Sequence, residues 1–76
     1  MENKILELLD NINHEILTYE GDSLFDAGLL DSFLVIDLVS ELEEAFGIEI
    51  DAKYMREENF KSKENMIALM RKLVAR

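Results

Sequence analysis

The sequence predicts an all-α fold, a small bundle of three main helices plus one short helix. Apolar residues recur at three- and four-residue spacing in three separate segments of the chain. Ile48 and Ile50 alternate with acidic residues, but two apolar positions are too few for a strand that has no partner elsewhere in the chain. With 76 residues, 49% of them hydrophobic, and no cysteine, the chain is expected to form one domain, residues 1–76, held together by apolar packing.

The first helix is predicted from residue 4 to about residue 17, with Asn3 as its cap. Residues 18–31 follow, and they are rich in glycine, aspartate and serine, which are typical of loops and turns. Four large apolar side chains also lie in this segment, so we predict a loop packed against the bundle. The apolar face of the first helix consists of Ile5, Leu8, Leu9, Ile12 and Ile16.

The second helix is predicted from about residue 32 to residue 46. Asp31 or Ser32 can cap its first amides, and Gly47 followed by Ile48 is a typical helix end. Its helical spacing is set by the apolar residues Ile36, Leu38, Val39, Leu42 and Phe46.

The rest of the chain is predicted to contain a loop over residues 47–55, one or two short turns over residues 56–61, and a last helix capped by Ser62. The apolar face of the last helix consists of Met66, Ile67, Met70, Leu73 and Val74. The three main helices are expected to pack around Leu9, Ile12, Leu38, Leu42, Phe46, Ile67 and Leu73.

Acidic residues dominate the middle of the chain. The net charge is −9, and no lysine or arginine lies between Lys4 and Lys53. Such a surface repels nucleic acid and anionic lipid and attracts basic patches on proteins. The first residues do not resemble a signal peptide and no apolar run is long enough to span a bilayer, so we expect no membrane insertion and a cytoplasmic location.

Catalysis by the chain itself is not predicted. A serine nucleophile needs a base, and the one histidine, His14, lies within the predicted first helix. The acidic residues before Ser32 do not follow the pattern of a calcium loop, and no metal site is predicted. Ser32 is therefore either a helix cap or a hydroxyl that another enzyme modifies, and a helix start suits an attached phosphate.

The order of motifs resembles that of the acyl carrier protein family, which includes peptidyl and D-alanyl carriers. "GLLDSF" is followed by an apolar helix ending in "LEEAFGIEI", then by "ENF" and a last amphipathic helix. The resemblance implies that Ser32 carries 4′-phosphopantetheine, added by a phosphopantetheinyl transferase that uses coenzyme A and magnesium. The thiol of this arm would hold an acyl or aminoacyl group as a thioester. An adenylating ligase would load this carrier, which would deliver the group to acyl-transfer enzymes without catalysing a reaction.

The resemblance also implies where partner enzymes bind. Leu34 and Val35 stand where common fatty-acid carriers more often have polar or acidic residues, which counts against a fatty-acid role. Because "GLLDSF" is more similar to D-alanyl carriers and to freestanding carriers, the resemblance favours a discrete carrier loaded by an adenylating ligase, and we expect a monomer. A fatty-acid acyl carrier and an unmodified acidic helical adaptor stay open as alternatives. The residues expected to contact partners are Asp31, Phe33, Leu34, Asp37, Glu41 and Glu44.

Overall fold

A computed structural model describes residues 1–75, which contain helices and connecting segments but no strand. The helices are α1 (Glu2–Ile12), α2 (Ser32–Phe46), α3 (Glu57–Phe60) and α4 (Lys63–Val74), and two 3-10 turns cover His14–Leu17 and Ala52–Tyr54. The predicted architecture of three main helices and one short helix is confirmed. No helix within residues 1–75 is long and apolar enough to cross a bilayer.

Helix α1 differs from the prediction at both ends. Its N-cap residue is Met1, so Asn3 lies within the helix and does not cap it. The helix stops before Asn13, whose backbone is extended and whose side-chain oxygen accepts a hydrogen bond from the amide of Glu15. Asparagine interrupts helices in this way because its side chain competes for nearby backbone groups. The chain then continues as a 3-10 turn that still buries Ile16.

The loop over residues 18–31 is packed, as predicted. Leu24 and Leu30 are buried, and the hydroxyl of Ser23 accepts hydrogen bonds from two backbone amides of the loop. The amide of Leu24 also donates to the carbonyl of Lys61 at 2.8 Å. The loop is therefore tied to the segment that follows α3.

Helix α2 has the predicted bounds, and both of its ends have a physical cause. Asp31 is the N-cap, because its Oδ1 accepts a hydrogen bond from the amide of Leu34 at 2.9 Å. At the other end Gly47 has φ of 63°, and its amide donates to the carbonyl of Glu43. Glycine adopts this left-handed conformation without steric cost. Ser32 is thus the first helical residue, and Asp31 takes the capping role.

The core lies where α1, α2 and α4 meet. Four residues that were predicted to lie on the buried faces of these helices are not fully buried. Ile36 is 58% exposed because each residue turns the helix by about 100°, and Val35 occupies the buried side in its place. Ile12 and Phe46 are half-buried and Val74 is exposed. Each of these three is the last residue of its helix, where no further turn covers the side chain. The other predicted core residues, Leu9, Leu38, Leu42, Ile67 and Leu73, are buried.

The C-terminal half is fastened by polar contacts. Ser62 caps α4 as predicted, and its Oγ accepts a hydrogen bond from the amide of Asn65 at 3.0 Å. Arg71 of α4 donates to the carboxylate of Glu2 in α1 at 2.8 Å. Residues 47–55 form the predicted loop, with one 3-10 turn inside it.

Candidate functional site

Ser32 stands at the exposed start of α2. Because Asp31 makes the capping bond, the hydroxyl of Ser32 is not needed as a cap. Within residues 1–75 this hydroxyl has no hydrogen-bond partner. The positive end of the dipole of a 15-residue helix lies at the same position. Ser32 is therefore accessible to an external enzyme and lies at a helix start, whose dipole favours an attached anion.

A cleft of about 250 Å³ opens beside Ser32, between the start of α2 and the segment that contains α3. Arg56 and Glu57 are its charged residues. A group attached to Ser32 would border this largely apolar surface. The apolar lining comes from three parts of the chain and consists of Phe25, Val35, Ile36, Met55 and Phe60.

The predicted partner residues of α2 do not all share one face. Phe33 is 81% exposed, and Asp37 and Glu44 lie on the same exposed side of the helix at four- and seven-residue spacing. Leu34 and Glu41 are partly buried. Glu41 lines a groove that also includes residues of α1, and its Oε2 is buried without a hydrogen-bond partner among residues 1–75.

We call the residues Phe33, Asp37 and Glu44 the exposed ridge of α2. Asp31 is exposed beside it and serves as the helix cap. The ridge combines one large apolar side chain with two unpaired carboxylates in the described part of the chain. Such a combination suits reversible contact with a partner that presents a basic patch around an apolar pocket.

None of the seven residues that line the cleft together with Ser32 was among the site residues predicted from the sequence. Helical phase could have assigned Ile36 to the surface, since Val35 and Leu38 already set the buried side. No sequence pattern around Met55 and Arg56 indicates that they lie near Ser32, because only the path of the chain after residue 50 brings them there.

Charge is strongly segregated along the chain. Residues 1–52 contain 14 acidic and one basic residue, whereas residues 53–76 contain three acidic and seven basic residues. A second cleft, of about 710 Å³, lies between the 3-10 turn Ala52–Tyr54, α3 and α4. Its cations are Lys53, Arg56, Lys61 and Lys72, and the ammonium groups of Lys53 and Lys72 lie 5.2 and 5.4 Å from the ring centre of Tyr54. Arg56 lines both clefts.

The side chain of His14 contacts Asp10 of the preceding helix. It is exposed in the turn after α1, where its Nδ1 lies 2.5 Å from Oδ1 of Asp10. Within residues 1–75, no group of three or more histidine, aspartate or glutamate side chains could hold a metal ion.

Residues 3–58 match the protein family described as "Phosphopantetheine attachment site". The chain belongs to this family. The matched range includes α1, the packed loop, α2 and part of α3. The protein is therefore a phosphopantetheine carrier, and the resemblance noted from "GLLDSF" and the following helix is confirmed.

Curated relatives of this carrier include D-alanyl carrier proteins. Those of Streptococcus pyogenes serotypes M5 (strain Manfredo), M49 (strain NZ131) and M1 are each 39% identical to it over 51 residues. The match covers 66% of this chain and 65% of each relative, less than two thirds of the relatives' length. No solved structure matches the chain with comparable significance.

Family membership gives the protein its covalent group, 4′-phosphopantetheine. Proteins of this kind generally do not catalyse reactions themselves; transferases modify them, and ligases or acyltransferases exchange their cargo. The alternative of an unmodified helical adaptor loses its support. The free hydroxyl of Ser32 and the adjoining cleft fit a phosphate ester that continues as an extended arm.

Proposed function

We propose that Ser32 carries the 4′-phosphopantetheine arm. The observation that supports this most directly is that its hydroxyl is exposed at the start of α2 and forms no hydrogen bond with residues 1–75, while the neighbouring Asp31 holds the cap. The other serines of the described chain are less suitable. Ser23 is buried and accepts two hydrogen bonds, Ser62 caps α4, and Ser40 lies within a helix.

The chemistry required of Ser32 is that of a nucleophile activated by another enzyme. Its Oγ would lose a proton and form the new bond to phosphorus, while the pyrophosphate bond of coenzyme A breaks and adenosine 3′,5′-bisphosphate leaves. The dipole of α2 favours the anionic ester that results. The arm supplies a terminal thiol, on which cargo is held as a thioester.

We further propose that the cargo is a small acyl or aminoacyl group, activated by an adenylating ligase. Two observations support this. The relatives that match are named D-alanyl carrier proteins, and the cleft beside Ser32 is small, with Phe60 almost fully buried at its wall. A fatty-acid carrier, the alternative, must accommodate a long apolar chain, and the side chains of Leu38, Leu42 and Met70 fill the centre of this bundle.

Mass spectrometry of the intact protein tests both proposals in sequence. Incubation with a broad-specificity phosphopantetheinyl transferase, coenzyme A and magnesium should add one phosphopantetheine unit. The modified protein should then gain D-alanine from a D-alanine-adenylating ligase, and it should gain little of a long-chain acyl group from an acyl-carrier synthetase. An unchanged mass in the first step would contradict the role of Ser32. Efficient loading of the long chain alone would favour the fatty-acid alternative.

We propose the exposed ridge of α2 as the surface that partner enzymes bind. Phe33 lies directly after the modified serine, and the carboxylates of Asp37 and Glu44 extend the surface along the helix. Leu34 and Glu41, also expected to contact partners, are partly buried, so we assign them a smaller share of the contact.

Reversing the charge of this ridge should slow modification. In the variant Asp37→Lys/Glu44→Lys, we expect the initial rate of phosphopantetheine transfer to fall about tenfold or more at low ionic strength, because steering charges accelerate association by at least that factor. Most of the difference should disappear in 1 M salt, where the screening length is about 3 Å. Rates are measured by intact mass across a salt series.

The control has the same change in net charge at a different place. Glu20→Lys/Glu49→Lys alters two exposed carboxylates outside α2. It should slow transfer much less than the ridge variant. Equal rates for the two variants at every salt concentration would show that net charge, and not the ridge, governs the encounter.

A further inference from the structure

Arg56 is the cation that lines the cleft beside Ser32. Within residues 1–75 its ionic contact is with Glu58, with Nε 3.5 Å from Oε1, and both side chains are mostly exposed. Its terminal nitrogens have no partner in that part of the chain. An exposed pair of this kind contributes little to stability, so the guanidinium can exchange Glu58 for a stronger acceptor.

An anion added at Ser32 meets other negative charges. The carboxylate of Asp31 is fixed at the start of α2 by its capping bond, and Glu57 lines the same cleft. Like charges around one small cleft repel one another, and the start of a helix offsets this repulsion with only about half a positive charge. The guanidinium of Arg56 is the group of the cleft that can offset the remainder.

We infer that Arg56 is a positioning residue for the attached arm. Its guanidinium leaves Glu58 and pairs with the phosphodiester on Ser32. This ion pair holds the first atoms of the arm over the cleft between α2 and α3. Arginine suits this role because its planar fork of donors matches two oxygens of a phosphate. The inference rests on the proposal that Ser32 carries the arm.

The ion pair with Arg56 favours an arm that lies over the cleft but does not hold it there permanently. Ile36 and Met55 line the same cleft and are exposed, so an arm held by Arg56 would cover apolar surface there. Because an exposed ion pair changes a population by at most about fivefold, a partner enzyme can still withdraw the arm. This matches the need of a carrier to release its cargo to several enzymes.

Phosphorus and nitrogen NMR of the modified protein tests the inference without any loading enzyme. Wild type, Arg56→Gln, Arg56→Lys and the control Lys53→Gln are each converted with coenzyme A, and intact mass confirms that one arm is attached. Lys53→Gln removes one positive charge, as Arg56→Gln does. Lys53 lines the neighbouring cleft and not the one beside Ser32, so this control separates net charge from position. The phosphorus shift of the diester and the shift of the Arg56 Nε–H group are recorded before and after conversion.

We expect the Nε–H signal of Arg56 to shift when the arm is attached. The phosphorus signal of Arg56→Gln should move towards that of a free phosphodiester, with Arg56→Lys between the two and Lys53→Gln close to wild type. In 1 M salt the wild-type signal should approach that of Arg56→Gln. The inference would be overturned if the phosphorus shifts of wild type and Arg56→Gln were identical, or if Lys53→Gln changed this shift as much as Arg56→Gln does. In either case an intact mass with one arm attached would leave the proposal for Ser32 standing. A wild-type protein that gains no mass would overturn the role of Ser32 and, with it, that of Arg56.

Discussion

Ser32→Ala will keep its fold and lose all uptake of phosphopantetheine. Ser32 is exposed and Asp31 holds the helix cap, so the substitution should change the free energy of unfolding by about 0.5 kcal/mol or less. Loss of the acceptor oxygen removes the site of bond formation completely. Circular dichroism checks the fold, and intact mass after incubation with transferase and coenzyme A checks the modification.

The matched control is Ser40→Ala, which removes another exposed serine hydroxyl from the same helix. This variant should be modified like the wild-type protein. If Ser32→Ala still gained one arm, the attachment site would be Ser40, Ser23 or another hydroxyl, and the proposed role of Ser32 would be wrong.

Leu42→Ala should be among the most destabilising single substitutions. Leu42 is 1% exposed at the centre of the buried side of α2. Truncating a fully buried leucine removes apolar contacts and leaves a cavity, which costs about 2–5 kcal/mol. For a chain of 76 residues this is a large part of the total stability. Urea denaturation followed by circular dichroism measures the loss.

Ile36→Ala is the control for this prediction, because it truncates an exposed aliphatic side chain of the same helix. We expect its denaturation midpoint to lie near that of the wild-type protein. A similar midpoint for Leu42→Ala and Ile36→Ala would mean that α2 does not bury the side described here.

The main elements could be predicted because their signals are local. The cap at Asp31, the glycine at position 47 and the spacing of Leu38 and Leu42 all act within one or two turns of α2. The break at Asn13 was missed because the same apolar spacing continues through Ile16, and only the side-chain bond of the asparagine shows that the helix stops.

The candidate site could be predicted only in part. Ser32 and the ridge residues Phe33 and Asp37 are neighbours along one helix, so a motif can reveal them. Met55 and Arg56 reach the cleft only through the fold of a distant segment. Periodicity carries no information on such a contact, since the loop between the two parts has no repeating pattern.

The hydrogen bond from the amide of Leu24 to the carbonyl of Lys61 has a consequence for the order of events during protein synthesis. A nascent chain that stops before Lys61 has no acceptor for this amide, although Ser32 has already been made. This hydrogen bond of the loop before Ser32 can therefore form only after Lys61 has been synthesised. A transferase that recognises the loop with this bond in place would therefore prefer chains that extend beyond Lys61 to shorter ones.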